Sequence, residues 1–147
     1  MTPRENLQAQ LTEALKSKQA TRVSTLRLLL TSVDNERIAK GDEVDDAGFL
    51  KIVQKAIKQR KESATAYDKG GRDELAARET AEAEILADFL PPQVDESEIR
   101  AAIEELVAAE ELAGPQAIGR IMKEMVARFA GSTDGGTISR IARDVLS

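Results

Sequence analysis

The chain has 147 residues, enough for one domain or two small ones; 32% of them are charged and only 3% are aromatic. It contains neither Cys nor His, which excludes disulfides, thiolate nucleophiles, imidazole bases and the usual zinc sites. The formal net charge is -5 and neither half of the chain is basic, so a general nucleic-acid coat protein is not expected.

Two amphipathic helices are predicted before Gly41, because strong helix formers dominate this segment and apolar side chains recur at helical spacing. The first begins at Thr2 or Pro3 and runs to about Lys18, with the proline suited to the first turn. The second begins between residues 19 and 21. Gly41 is expected to end it in a left-handed conformation.

Two further helices are predicted before the double proline at residues 91 and 92. Asp45 or Asp46 is the expected N-cap of the third helix. Its predicted buried stripe is Phe49, Ile52, Val53, Ala56 and Ile57. Gly70 and Gly71 interrupt it, and a fourth helix then carries Leu75, Ile85, Leu86, Phe89 and Leu90. The prolines are expected to stop that helix and to mark a domain boundary.

Three helices are predicted in the remaining segment. Asp95 or Ser97 caps the first, the second opens after Gly114 and Pro115, and the third starts at Thr137. We therefore predict an all-α protein. It comprises an N-terminal four-helix unit (residues 1–90), a Pro-containing linker (residues 91–94) and a C-terminal three-helix unit (residues 95–147).

The densest basic run lies on the third helix and is the first candidate binding site. It comprises Lys51, Lys55, Lys58, Arg60 and Lys61. The first three residues share a face at i, i+4 and i+7, and such a face could follow a phosphate backbone. The alternative is an ordinary solvated surface with acidic neighbours such as Glu62. Without Trp, and with a single Tyr, no stacking platform for bases is predicted.

Four other residues are candidates for contacts with a nucleic acid or a partner. Arg72 lies where the fourth helix begins, and it either contacts an anion or belongs to the helix cap. Gly119, inside the sixth helix, indicates either close packing of two helices or a groove that admits a ligand backbone. Arg120 and Lys123 flank it, away from the apolar stripe.

Glu79 and Glu82 share a face of the fourth helix and could suggest a metal site. A site made only of carboxylates needs more ligands than the sequence supplies, so ion pairing with Arg78 or with the third helix is the favoured interpretation. No metal, cofactor or catalytic residue is predicted.

Several short segments, taken together in their order and spacing, resemble the YqeY-like family, which includes the tail domain of the GatB subunit of tRNA-dependent amidotransferases. They are Arg22, residues 26–29, Glu36, residues 58–63, residues 71–75, Glu79, Glu82, residues 89–91, residues 119–122, Gly131 and residues 134–135. The resemblance covers nearly the whole chain and implies two helical units in tandem. It also implies an association with tRNA, while the chemistry of the amidotransferase resides in other domains and subunits.

The leading hypothesis from the sequence is therefore a non-catalytic module that binds tRNA or associates with a protein of the aminoacylation or translation machinery. The alternatives are a protein-interaction adaptor and a component of a carbon-nitrogen ligase that uses glutamine as amido donor. Neither DNA nor a membrane is an expected partner. Since the N-terminus lacks the apolar core of a signal peptide, a cytoplasmic location is expected.

Overall fold

The computed structural model describes all 147 residues, which form seven α-helices and no β-strand. The helices are α1 (Pro3–Lys16), α2 (Ala20–Lys40), α3 (Asp46–Lys69), α4 (Asp73–Ala87), α5 (Glu96–Glu110), α6 (Ala117–Arg128) and α7 (Gly135–Leu146). None of them combines the length and the apolar composition needed to cross a membrane. Two compact units, Met1–Leu90 and Pro91–Ser147, hold α1 to α4 and α5 to α7. The predicted all-α class, with four helices followed by three, is confirmed.

Local signals in the sequence set several of the helix ends. The side chain of Thr2 accepts a backbone N–H in the first turn of α1, and Asp45 and Asp95 do the same for α3 and α5. Each cap satisfies a donor that has no partner within the helix. Gly41 ends α2 with a φ of 70°, the left-handed conformation that glycine adopts without a steric penalty.

The first unit encloses one apolar core, in which α3 packs along α4 and α1 packs along α2. Its most deeply buried large side chains are Leu7, Leu26, Leu29, Val33, Val53 and Leu86. The rings of Phe49 and Phe89 meet edge to face, with centroids 5.7 Å apart. Each of these large apolar side chains stabilises the unit by about 1.5–3 kcal/mol relative to an exposed position.

The end of α4 differs from the prediction. The helix stops at Ala87, while Phe89 and Leu90 lie in a turn and still pack against the first core. Pro91 prevents the helix from continuing, because its ring disfavours a helical Leu90 and, within a helix, would clash with the carbonyl of Ala87. Leu75, predicted to be part of the apolar stripe, is 37% exposed.

The second unit has its own core between α5, α6 and α7. The fully buried large side chains are Ile99, Ile103, Ile121, Met125, Ile138 and Ile141. Met125 therefore packs in the core. The α7 helix begins at Gly135, two residues before the predicted Thr137, because Asp134 accepts the backbone N–H of Thr137 and so acts as the N-cap.

The segment predicted as a linker, residues 91–94, is part of this second unit. The backbone N–H of Val94 donates to the carbonyl of Ser132 at 3.1 Å, and the side-chain amide of Gln93 donates to the carbonyl of Gly131 at 2.7 Å. These hydrogen bonds fasten the segment to the turn between α6 and α7. Sequence composition could not reveal them, because the two partners are far apart in the chain.

Candidate nucleic-acid interface

Three lysines lie on the side of α3 that faces solvent. Lys51, Lys55 and Lys58 are exposed, whereas Phe49 and Val53 on the same helix are buried in the first core. An α-helix turns by about 100° per residue, so positions four and seven residues apart return to nearly the same face. We call Lys51, Lys55, Lys58 and the adjacent exposed Lys61 the lysine face.

The lysine face has no acidic partner within the protein. None of its four ammonium groups forms an ion pair or a side-chain hydrogen bond, and the nearby acidic residue Glu62 is likewise exposed and unpaired. Hydrated ammonium groups on flexible stems can therefore approach an anion without first breaking a contact within the protein.

Arg60 does not belong to this face, although the sequence grouped it with the lysines. Its guanidinium is directed at α4, where Nη1 lies 3.4 Å from Glu79 Oε2 and Nε lies 3.3 Å from Glu82 Oε2. Arg78 also pairs with Glu82, at 3.3 Å. The predicted ion pairing of the two glutamates is confirmed. The structure contains no group of three or more His, Cys, Asp or Glu side chains arranged to hold a metal ion.

Arg72 is an exposed cation at the start of α4. It occupies the N-cap position, but its side chain makes no capping hydrogen bond. Its backbone N–H donates to the carbonyl of Tyr67 at 2.8 Å, which holds the turn between α3 and α4. The guanidinium is thus free of partners within the chain.

In the second unit, Arg120 is engaged by two carboxylates. It donates two hydrogen bonds to Glu110, at 2.7 and 2.8 Å, and a third to Glu124 at 2.9 Å. The hydrogen bond from Arg120 lowers the pKa of the Glu110 carboxyl below its usual value, and the same contacts raise the pKa of Arg120. By contrast, Lys123 is exposed and has no partner.

Gly119 is exposed on α6, and a Cβ atom added there would meet nothing within 4 Å. The interpretation that this glycine permits close packing of two helices is therefore wrong. The sequence could not distinguish the two cases, because a glycine inside a helix looks the same whether its neighbour is a backbone or solvent. Its predicted contact with a ligand backbone stays a prediction.

A groove between α2 and α3 was not anticipated from the sequence. It is open to solvent and has a volume of about 400 Å³; we call it the α2–α3 groove. Its lining residues are Ser32, Asn35, Glu36, Ala39, Ile52, Lys55, Ala56 and Gln59. Its lining includes small residues on both helices, Ser32 and Ala39 on α2 and Ala56 on α3, but small residues alone do not predict a groove. Lys55 belongs both to the groove and to the lysine face.

Comparison with known proteins identifies the family. The family model described as Yqey-like protein matches residues 4–146, almost the entire chain. The chain belongs to the Yqey-like family. The resemblance inferred from its short segments is thereby confirmed.

Two fungal members of this group have informative names. A Lachancea thermotolerans protein, "Altered inheritance of mitochondria protein 41, mitochondrial", is 34% identical over 105 residues, which cover 69% of this chain and 56% of that protein. A Pyrenophora tritici-repentis protein with the same name is 27% identical over 146 residues, covering 95% of this chain and 78% of that protein. The chain thus spans little more than half of the Lachancea relative.

Both relatives are named as mitochondrial proteins, and this contradicts the predicted cytoplasmic location. The prediction was wrong because it relied on the lack of a signal peptide. Such a lack argues against secretion but does not distinguish one interior compartment from another.

Proposed function

We propose that this Yqey-like chain is an RNA-binding module that holds tRNA through the lysine face of α3 and performs no chemistry itself. The observation that carries the proposal is a row of exposed, unpaired lysines on a chain whose net charge is -5. The resemblance to the tail domain of the amidotransferase GatB subunit supports tRNA as the RNA.

The spacing of the lysines suits a phosphate backbone. At a rise of 1.5 Å per residue, Lys51 and Lys58 are about 10 Å apart along the axis of α3, a distance that spans a few phosphates of one strand. Neutralising each phosphate releases a condensed counterion, which favours binding and makes it sensitive to salt. Arg72 could add a contact beyond the end of α3. Arg60 and Arg120 contribute less, because carboxylates already hold them.

Binding of bulk tRNA to the full chain, measured by filter retention at increasing salt concentration, tests the proposal. The double charge reversal Lys58→Glu with Lys61→Glu removes two phosphate contacts. It should weaken binding and reduce the magnitude of the salt slope by about 1.5. Both side chains are exposed, so the fold should survive.

The matched control is Lys16→Glu with Lys18→Glu, which changes the net charge by the same amount at the last residue of α1 and in the turn after it, where both side chains are exposed. It should alter binding much less. Equal losses in the two variants would refute the lysine face as the binding surface. Glutaminase turnover by the isolated chain would contradict the non-catalytic part of the proposal.

An exposed apolar patch near Gly119 would favour the adaptor alternative. In the second unit, the large apolar side chain exposed by more than a third is Val126 on α6, at 37%, and its neighbour Lys123 is charged. One such side chain makes no docking patch of the several hundred Å² that partner surfaces present. The structure therefore offers no particular support for this alternative.

A further inference from the structure

We propose that the α2–α3 groove receives one unpaired base of the RNA strand that the lysine face holds. This inference rests on the proposed function and adds to it the class of RNA: a single-stranded segment such as a loop. Base edges are accessible to proteins in unpaired segments, where they can turn away from their neighbours.

Two side-chain amides supply the hydrogen-bonding groups of the groove. Asn35 comes from α2 and Gln59 from α3, both side chains are exposed, and neither has a hydrogen-bond partner within the chain. An amide presents a donor and an acceptor side by side, and this pattern is complementary to the edge of a base. Amides bind a phosphate less well, because only their NH₂ group can donate to it.

Glu36 adds an acceptor without adding an uncompensated negative charge. Its carboxylate accepts a hydrogen bond from Lys40 Nζ at 2.8 Å, and this contact raises the pKa of Lys40. The paired carboxylate repels a nearby phosphate less than a free one would. The oxygen that does not bind Lys40 can accept a hydrogen bond from an exocyclic amino group of a base.

The inner part of the groove is apolar. Ile52 and Ala56 are half-buried and pack against the first core, and Ala39 lies opposite on α2. A flat base can cover these aliphatic groups, although no aromatic ring is present to stack on it. The volume of about 400 Å³ lies in the range of about 300–1,000 Å³ typical of small-molecule sites, so a single base fits.

Lys55 connects the groove to the lysine face. It lines the groove and lies between Lys51 and Lys58 on the exposed side of α3. A strand whose phosphates contact these three lysines therefore passes the opening of the groove. At that point one base can turn inward while the backbone stays on the lysines.

The test uses fluorescence anisotropy with the full chain and two probes: a labelled single-stranded RNA of mixed sequence, and the same RNA annealed to its complement. The double variant Asn35→Ala with Gln59→Ala should bind the single strand about tenfold more weakly, the loss expected for base-edge hydrogen bonds. Its salt slope should be unchanged, because no phosphate contact is removed. Duplex binding should stay within about twofold of the original chain.

The matched control is Asn6→Ala with Gln8→Ala, since these amides are also exposed but lie on α1, outside the groove. Single-strand affinity should be unaffected by it. A second arm adds the four nucleoside monophosphates as competitors at millimolar concentration. They should not displace the RNA, because one phosphate makes only a fraction of the lysine contacts.

Three outcomes overturn the inference. The groove holds no base if the amide variant binds the single strand as well as the original chain does, or if it loses affinity for the single strand and the duplex alike. In either case the proposed function still stands if charge reversal at the lysines weakens binding. If the monophosphates displace the RNA, the groove serves a free nucleotide instead. If the original chain binds neither RNA, the groove inference fails; if it also fails to retain bulk tRNA, the proposed function fails as well.

Discussion

Replacing Arg60 with Ala tests the ion-pair network that joins α3 to α4. The side chain of Glu82 is only 7% exposed and contacts two arginines, Arg60 and Arg78. These two partners differ in environment, because the side chain of Arg60 is 24% exposed and that of Arg78 is 64% exposed. Replacing each arginine in turn therefore compares a mostly buried ion pair with a mostly exposed one at the same carboxylate.

The expected cost follows from this difference. Removing one partner of a buried pair costs about 3–5 kcal/mol, because the other charge remains buried without compensation. Two features reduce this cost here. Arg78 still contacts Glu82 after Arg60 is removed. Arg60 Nε lies 3.3 Å from the Glu82 carboxylate but forms no hydrogen bond with it, so less is lost. We therefore expect Arg60→Ala to lower the free energy of unfolding by about 2 kcal/mol. Arg78→Ala, which breaks a largely exposed pair, should cost less than about 1 kcal/mol.

Urea unfolding followed by tyrosine fluorescence measures this cost in the first unit alone. Tyr67 on α3 is the only Tyr, and the chain has no Trp, so the fluorescence signal originates in that unit. Far-ultraviolet circular dichroism reports both units and shows whether they unfold together.

A second variant separates the network from simple loss of packing. Arg60→Met with Glu82→Leu replaces the arginine and its most buried partner by apolar groups of similar size. It leaves Glu79, whose side chain is 17% exposed, without Arg60, so it should recover much but not all of the stability that Arg60→Ala loses. Equal costs for Arg60→Ala and Arg78→Ala would refute our reasoning. So would a double variant as unstable as Arg60→Ala.

Two further predictions concern other parts of the chain. Gly119→Ala should stabilise the second unit by about 0.4–1 kcal/mol, measured by thermal unfolding, because the site is helical with open space around it; a loss of stability would show a contact that the structure lacks. The hydrogen bond from Arg4 lowers the pKa of the Asp34 carboxyl. The stability that this ion pair contributes is therefore present above the usual carboxyl pKa, and it is lost as the pH falls through the lowered pKa. Arg4→Ala should return that pKa toward its usual value in a carbon-13 titration and weaken the acid dependence of unfolding; an unchanged titration of Asp34 would contradict the assigned cause.

The sequence predicted the helices well because their signals are local. Caps at Thr2, Asp45 and Asp95 and the terminating Gly41 lie within one turn of the helix ends that they define. The same pattern placed the end of α4 too late. Phe89 continues the apolar periodicity although it lies in a turn, because periodicity reports which side chains are buried and not the backbone conformation that buries them.

The candidate site was less predictable, because spacing along a helix shows which residues share a face and not what lies opposite. The lysines of α3 were correctly expected to share an exposed face. Arg60 and Arg120 were grouped with the free cations, but their carboxylate partners Glu79, Glu82 and Glu110 lie on other helices. The α2–α3 groove depends on how two helices pack, which no short segment of sequence encodes.

Arginine and lysine have different roles in this chain, and the difference bears on the proposal that an acidic chain binds RNA. Lys40 with Glu36 is the one ion pair formed by a lysine, whereas every other pair uses an arginine. The planar guanidinium suits a carboxylate, and the arginines pair with eight of the 26 acidic residues. Charges more than about 8 Å apart are screened at physiological salt, so a phosphate near Lys58 responds to the local lysines more than to the net charge of -5. Neutralising those lysines should therefore change RNA binding without changing stability, whereas removing Arg60 should change stability first.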